Sequence, residues 1–241
     1  MSPNPNLPPT QTVASSSDPV DHVPVLLNEV IAALLSMESP AAFDQQGSRT
    51  LVDGTFGRGG HSRHLLQRLS ASDRLLAIDR DPDATSAANL IAAKDQRFTF
   101  TQARFSELGK VLAQRGIEHV DGILLDLGVS SPQIDRADRG FSFNADGPLD
   151  MRMNPAEGPS AADWLNTAQE SDIANVLWRF GEERQSRRIA REIVAARPLA
   201  TTLELAVLVA RVAAAPKRVL RKHPATKTFQ AIRMYINAET E

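Results

Sequence analysis

The chain has 241 residues and a formal net charge of −2, with 42% of its residues hydrophobic and 23% charged. This composition is typical of a globular protein and excludes a wholly disordered or fibrous chain. The absence of cysteine excludes a disulfide scaffold, a thiolate metal site and a cysteine nucleophile, and it fits a reducing cytosol, so we expect a cytoplasmic protein.

Residues 1–21 differ from the rest of the chain in composition. Five of the 15 prolines fall within residues 1–20, and Asn, Ser and Thr make up most of the remainder. Such a segment buries too little apolar surface to offset its ordering entropy, which predicts a disordered tail. It shows no secretory signal pattern, and no apolar run in the chain approaches the roughly 20 residues that span a bilayer, so we expect no membrane association.

Helices and strands are predicted to alternate from residue 22 to residue 135. Apolar residues at helical spacing predict a first helix over residues 25–36. Apolar runs then predict four strands, at residues 50–52, 75–78, 98–100 and 122–125. The segments between them predict helices at residues 61–69, 83–93 and 106–115, the last with Ser106 as a candidate N-cap. This order predicts an α/β fold in which crossover helices connect a parallel sheet.

The alternation stops after Gly128. Residues 129–158 are rich in Gly, Pro, Asp, Asn and Arg and predict a long loop, and loops of this length in compact domains are usually functional. An all-helical subdomain is predicted beyond it, with Thr201 or Thr202 as a candidate cap. Its helices are predicted at residues 163–165, 173–180, 187–196, 203–214 and 226–236.

Positive charge is concentrated in this helical region. Residues 205–238 carry seven Lys and Arg residues and no acid. A block of one sign favours an anionic partner, with RNA or DNA phosphate the obvious candidate. A solvated helix face is the alternative interpretation.

A glycine-rich turn follows the first predicted strand. It comprises Asp53-Gly54-Thr55-Phe56-Gly57-Arg58-Gly59-Gly60-His61, and the next strand ends in Asp79. Glycines let the backbone approach a ligand closely, and an acid at that position can accept hydrogen bonds from a ribose diol. Neither the dinucleotide nor the phosphate-loop pattern is complete, which favours an adenosine cofactor without phosphates. The arrangement Asp-x-Thr-x-Gly-x-Gly-Gly resembles the first motif of S-adenosylmethionine methyltransferases. The alternative is a tight turn beside solvated acids.

Polar residues also follow the fourth predicted strand, where ligands bind in open α/β sheets. Asp126 ends that strand, and Ser130-Ser131-Pro132 partly matches the motif with which amino methyltransferases hold the exocyclic amine of a base. A polar side chain there accepts hydrogens from the amine and directs the nitrogen lone pair at the methyl group. Asp126 and Ser131 are therefore the candidate catalytic residues, although the partial motif does not identify the substrate.

Taken together, the motifs resemble the bacterial small-subunit rRNA cytosine-N4 methyltransferases, the MraW or RsmH family. The resemblance runs in order from about residue 22 to residue 237. Besides the glycine-rich turn it rests on 22–27 (HVPVLL), 77–82 (AIDRDP), 104–106 (RFS), 125–131 (LDLGVSS), 139–143 (RGFSF), 147–153 (GPLDMRM) and 223–231 (HPATKTFQA).

The resemblance implies methyl transfer from S-adenosylmethionine to N4 of a cytosine in the decoding region of 16S rRNA, with the small ribosomal subunit as partner. Asp79 would take the ribose hydroxyls, Phe105 would pack on the adenine or methionine part, and Asp126 would lie between cofactor and base, contacting the methionine ammonium, the target amine or both. The full implied cofactor set is Gly59, Gly60, His61, Asp79, Phe105, Asp126 and Gln133. The chemistry needs no metal, and the histidines lack ligand-like spacing.

Candidate RNA contacts lie in the loop and in the basic helical region. Phe141 and Phe143 would stack on a flipped cytosine or, equally, would anchor the loop in the core. Arg139 and Arg152 are candidates for phosphate contacts. The basic candidates of the helical region are Lys217, Arg218, Arg221 and Lys222.

The resemblance also divides the chain. Residues 22–135 would form the first four strands of a Rossmann-like methyltransferase sheet, 136–159 an active-site loop, 160–237 an inserted helical subdomain, and 238–241 the start of the return to the sheet. Asn154, where the family usually has an acid, and residues 237–241 depart from the family pattern.

The family continues with further strands, so we expect a fragment that lacks the C-terminal part, exposes its fourth strand as an apolar edge and is poorly active alone. The alternatives are a DNA or small-molecule amino methyltransferase and a non-catalytic RNA-binding fragment. The sequence does not indicate the oligomeric state.

Overall fold

A parallel sheet of four strands organises the first half of the protein. The computed structural model describes Pro24 and residues 26–36, 48–213 and 223–240, so the predicted tail lies outside the described residues. The strands are β1 (Thr50–Asp53), β2 (Arg74–Asp79), β3 (Phe98–Gln102) and β4 (Gly122–Leu124). Their order is β3-β2-β1-β4, and all three pairings are parallel. The predicted α/β class and all four predicted strands are therefore confirmed.

Alternate residues of the strands face opposite layers of helices. Leu51 and Leu75 point to one face, and Val52, Leu76 and Ile78 to the other, as the two-residue period of a strand requires. The first face packs against α1 (Leu27–Ser36), α2 (Gly60–Leu66) and α3 (Asp83–Ala92), and the second against α4 (Leu108–Gln114). Burial on both faces explains why these strands read as continuous apolar runs.

The predicted N-cap at Ser106 is wrong. A single 3-10 turn, Phe105–Glu107, precedes α4, and Ser106 lies inside it with an exposed side chain. The backbone N–H of Arg104 donates to the carboxylate of Glu107 at 3.3 Å, a contact that stabilises this turn ahead of α4. Glu107 therefore occupies the N-cap position of α4.

The segment predicted as a long loop contains two short helical elements. They are α5 (Ser131–Asp135) and a 3-10 turn, Ala137–Arg139. Ser130 precedes α5, and its backbone N–H donates to Oε1 of Gln133 at 2.9 Å, which closes half of a capping box. Sequence reasoning passed over this pair because the surrounding composition is typical of a loop.

Five helices follow and share a hydrophobic core of their own. They are α6 (Ala161–Thr167), α7 (Glu170–Gly181), α8 (Ser186–Ala195), α9 (Thr202–Ala213) and α10 (Thr226–Ile236). Leu149 and Met151, from the segment before α6, are buried in that core. The predicted cap at Thr201 is confirmed, since its hydroxyl accepts from the N–H of Glu204 at 3.3 Å while the Glu204 carboxylate accepts from the N–H of Thr201 at 3.0 Å.

Strand β4 lies at one edge of the described sheet and pairs only with β1 there. Ile123 within it and Leu125 just after it expose 45% and 46% of their surface. Among the helices that the structure describes, none combines the length and the apolar character required to cross a bilayer.

Candidate functional site

The turn between β1 and α2 has a backbone that requires glycine. Gly57 and Gly59 have φ angles of +56° and +77°, in the left-handed region. A Cβ atom on Gly59 would lie 2.7 Å from the ring of Phe56, whereas one on Gly57 would find no atom nearer than 3.9 Å. The turn is therefore tightly packed on its inner side at Gly59 and open at Gly57.

Asp79, the last residue of β2, fastens this turn to the neighbouring strand. Its Oδ2 accepts from the N–H of Gly57 at 2.6 Å, and its Oδ1 accepts from the N–H of Asp81 at 2.9 Å. Burial raises the pKa of Asp79 above its ordinary value, although these hydrogen bonds oppose the shift. Because a carboxylate offers about four acceptor positions, both oxygens can still accept from a ligand hydroxyl.

Asp53 supports the turn from the end of β1. Its side chain is buried and accepts from Ser62 Oγ at 2.6 Å and from the N–H of Thr55 at 3.2 Å. Desolvation raises the pKa of Asp53 to about 6, against the opposing effect of those hydrogen bonds. Sequence reasoning placed Asp53 only within the motif and did not anticipate this supporting role.

His61 and Asp126 meet beside the turn. Nδ1 of His61 lies 4.0 Å from Oδ2 of Asp126, whose side chain is 55% exposed. The N–H of Asp126 donates to Oγ1 of Thr55 at 2.7 Å, which fixes the backbone after β4. Nε2 of His61 is buried and has no hydrogen-bond partner among the described residues. His61 therefore turns Nδ1 toward the open carboxylate of Asp126 and keeps a second, unsatisfied nitrogen that a polar ligand could satisfy.

Other predicted cofactor residues lie near the same carboxyl ends of the strands. Phe105 lies beside the start of the turn, since a Cβ on Gly54 would be 3.7 Å from its Cβ. Gln133 is buried, and its Nε2 donates to Oδ2 of Asp81 at 2.7 Å. Ser131, half-buried, is the first residue of α5. The structure thus brings the glycine turn, Phe105 and the ends of β2 and β4 together, and it links Gln133 to them through Asp81.

Arg139 has a different environment from the one its sequence context predicts. Its side chain is only 7% exposed, and Nη2 donates to Oδ2 of Asp81 and to the carbonyl of Met153, both at 2.9 Å. Nη1 donates to Oδ2 of Asp83 at 2.8 Å. The position of Arg139 does not support a phosphate contact, because the guanidinium already binds two carboxylates and joins the 139–153 segment to the end of β2.

The two phenylalanines of the loop contact the helical core. The ring of Phe143 lies 4.8 Å from that of Phe229 in an edge arrangement and 4.6 Å from that of His223. Phe141 also packs against the helical core, with Cζ of Arg139 5.8 Å from its ring centre. Both side chains are half-buried, which favours the anchoring alternative over base stacking in this conformation.

Of the remaining RNA candidates, Arg152 belongs to the part of the chain that the structure describes. Arg152 is 22% exposed and binds Asp150 through two hydrogen bonds, of 2.9 and 2.7 Å. The other four, Lys217, Arg218, Arg221 and Lys222, lie outside the described residues.

Asn237 connects the helical region to the site, a role that sequence reasoning missed. Its buried side chain accepts from the N–H of Met153 at 2.7 Å and donates to the carbonyl of Met151 at 2.7 Å. The guanidinium of Arg80, next to Asp79, donates to the carbonyl of Asn237. In the sequence Asn237 is only the first residue of a segment that departs from a family motif after it, and nothing local reveals partners more than 80 residues away.

The parallel sheet with its glycine turn and acid-ended second strand defines an α/β fold of the Rossmann-like methyltransferase class. The model of the MraW methylase family matches residues 19–241. The chain therefore belongs to the MraW methylase family.

Curated relatives called ribosomal RNA small subunit methyltransferase H share about half of their residues with this chain. The protein from Thiobacillus denitrificans is 54% identical over 223 residues, which cover 91% of this chain and 68% of the relative. That from Bordetella avium is 48% identical over 237 residues, covering 92% and 66%. That from Xanthomonas oryzae pv. oryzae is 52% identical over 229 residues, covering 94% and 64%. The chain thus spans about two thirds of the length of these relatives.

Proposed function

We propose that the protein transfers a methyl group from S-adenosylmethionine to N4 of a cytosine in the decoding region of 16S rRNA, with the small ribosomal subunit as its partner. The observation that carries the proposal is the cluster of side chains at the carboxyl ends of the strands. There a glycine turn is fastened to Asp79, and His61 and Asp126 lie beside it. Membership of a methylase family and the names of the relatives support the reaction class and the RNA substrate.

The residues of this cluster fit the cofactor. Asp79 keeps acceptor positions for the two ribose hydroxyls, and the open side of Gly57 leaves room for a ligand against the backbone. The orphaned Nε2 of His61 offers a partner to the polar amino-acid end, which Gly59 and Gly60 would flank. Phe105 would pack on the adenine or the methionine chain, and Gln133 would hold Asp81 in place beneath the site. When bound, the cofactor supplies an electrophilic methyl group.

Asp126 is the residue that we propose to act on the target amine. Its carboxylate is exposed at the end of the strand next to the turn, while its backbone is fixed by Thr55. Such a carboxylate accepts a hydrogen bond from the exocyclic amine, directs the nitrogen lone pair toward the methyl donor and takes the proton that the nitrogen releases. We propose the Ser131 hydroxyl as a second acceptor, which would fix the plane of the base.

We also propose that the basic residues and the two loop phenylalanines have different roles in RNA binding. Arg152 and the basic residues 217–222 would meet phosphates, since they combine positive charge with a position in or beside the helical region. Phe141 and Phe143 would hold the loop against the helices.

Methyl transfer from labelled S-adenosylmethionine to 30S subunits tests the proposal. We expect slow but detectable labelling of 16S rRNA, assigned to N4-methylcytidine by mass analysis of the digested RNA. We expect Asp126→Asn to lower that rate at least 10-fold with little effect on cofactor affinity. A chain that binds RNA but transfers no label would be a binding module, and one that labels DNA or a small amine instead would be a different methyltransferase. Either result would overturn the proposal.

A further inference from the structure

Trp178 is an exposed tryptophan on the outer face of α7. Its neighbours Ile173 and Leu177 are fully buried in the helical core, whereas 61% of the Trp178 surface is exposed. The other tryptophan of the chain, Trp164, is 9% exposed and lies 4.5 Å from the ring of Tyr235. Tryptophan is highly buried on average, and an exposed large aromatic side chain often marks a binding surface.

The indole forms one wall of an open groove between α7 and the start of α10. The groove has a volume of about 790 Å³. It is lined by Asn175, Trp178, Arg179, Glu182, Arg184 and Lys227. Three of these six side chains are cationic and one is aromatic, a combination that suits a strand of nucleic acid.

Helices α7 and α10 are in close contact next to the groove. A Cβ on Gly181 would lie 2.7 Å from the carbonyl oxygen of Lys227, so α7 and α10 approach there as closely as glycine permits. Nζ of Lys227 donates to the carbonyl of Glu182 at 3.2 Å. The Lys227 ammonium is therefore held in place beside the groove, which limits the entropy that this side chain loses when a ligand binds.

The cations of the groove have no carboxylate partners. Among the residues that the structure describes, no carboxylate oxygen lies within 4.0 Å of the charged nitrogens of Arg179, Arg184 or Lys227, whereas Arg191 and Arg211 nearby each approach a glutamate. Residues 179–191 contain five arginines against two glutamates. Cations near the end of α7 also compensate its helix dipole, but that effect does not explain an exposed indole.

We propose that this groove, which we call the Trp178 platform, is a second binding site for single-stranded RNA. A base stacks on Trp178 while the adjacent phosphates meet Arg179, Arg184 and Lys227. The inference rests on the proposed function, which supplies an RNA substrate. Lys227 and Asn237 are ten residues apart on and just beyond α10, about 15 Å at 1.5 Å per residue, so the platform lies well away from the Asp79 end of the site.

The first test measures the affinity of the full chain for a labelled, unstructured 12-nucleotide RNA by fluorescence anisotropy. We expect Trp178→Ala to raise the dissociation constant about 5- to 160-fold, the range that loss of one stacked base produces, and Trp178→Phe to retain most of the affinity. Leu90→Ala is the matched control, because Leu90 is a 65% exposed apolar residue of α3. An effect of Trp178→Ala no larger than that of Leu90→Ala would overturn the proposal.

The second test concerns charge. We expect Arg184→Gln to reduce the slope of log affinity against log salt by about 0.7, the contribution of one phosphate on a single strand. We expect Lys94→Gln, a change at an exposed lysine outside the platform, to leave the slope unchanged. If Trp178 governs binding to anionic phosphatidylserine vesicles but not to RNA, the platform is a membrane contact and the proposal fails.

These outcomes separate the platform from the proposed function. If the chain methylates 30S subunits while Trp178→Ala changes neither RNA affinity nor methylation, the platform alone is disproved. If the wild-type chain methylates no RNA but Trp178 still controls RNA affinity, the proposed function fails and the platform stands. Unchanged S-adenosylmethionine affinity and circular dichroism in Trp178→Ala would show that any loss is local.

Discussion

Nη2 of Arg139 lies 2.9 Å from Oδ2 of Asp81, and both side chains are only 7% exposed. A buried ion pair costs desolvation, so its presence is weak support for stability, but removing one partner leaves an uncompensated charge in the interior. This pair is the point at which the 139–153 segment is joined to the end of β2.

We therefore expect Arg139→Ala to lower the free energy of unfolding by about 3 kcal/mol. Arg136→Ala is the control, because Arg136 also pairs with Asp83 but is 47% exposed, and its loss should destabilise the protein much less than Arg139→Ala. Urea denaturation followed by circular dichroism measures both changes. Equal effects of the two substitutions would contradict a structural role for the buried pair.

A second prediction concerns Gly59. We expect Gly59→Ala to destabilise the protein by about 1 to 3 kcal/mol, because the added methyl group would meet the Phe56 ring at 2.7 Å in a left-handed backbone conformation. Gly109→Ala is the matched control, since Gly109 lies within α4 with open space around it. There the same change should be neutral or stabilising by up to about 1 kcal/mol. Thermal melts measure both changes. The melting temperature of Gly59→Ala should fall by several degrees, whereas that of Gly109→Ala should stay the same or rise.

A third prediction concerns the ribose contact. We expect Asp79→Ala to weaken S-adenosylmethionine binding at least 10-fold in calorimetry, because hydrogen bonds to a charged acceptor contribute about 1.5 to 3 kcal/mol. Asp79→Asn should lose affinity as well, while it retains an acceptor for the N–H of Gly57. Glu118→Gln, which removes an exposed carboxylate, serves as the control. Unchanged affinity in Asp79→Ala would refute the contact.

A fourth prediction follows from the raised pKa of Asp53, which is about 6 in the folded protein and about 4 when unfolded. Between those values the folded state binds more protons, so the stability contributed by Asp53 is fully present below about pH 4 and is lost as the pH rises through 6. Asp53→Asn removes this titration. We expect the difference in unfolding free energy between wild type and variant to shift against the wild type by about 2 kcal/mol between pH 4.5 and pH 7.5. Parallel pH profiles in urea denaturation would contradict it.

The strands were predictable because each is an apolar run buried on both faces, and Asp53 and Asp79 mark where two of those runs end. Helix α10 begins and ends where its periodicity predicts. The partners and exposure of single side chains were harder to predict from the sequence. Arg139 looks like any loop arginine until tertiary contacts bring Asp81 within reach, and Trp178 in an amphipathic helix is indistinguishable by spacing from a core residue. Long-range partners of this kind leave no local pattern to read.

The contact between Arg80 and Asn237 has a thermodynamic consequence. It joins Asn237, at the end of α10, to Arg80, the residue next to the proposed ribose acceptor Asp79. If RNA on the helices alters the affinity for S-adenosylmethionine by some factor, linkage requires the cofactor to alter the affinity for RNA by the same factor. Cofactor loading and substrate capture would then be reciprocally coupled events in one thermodynamic cycle, with a single asparagine at their junction.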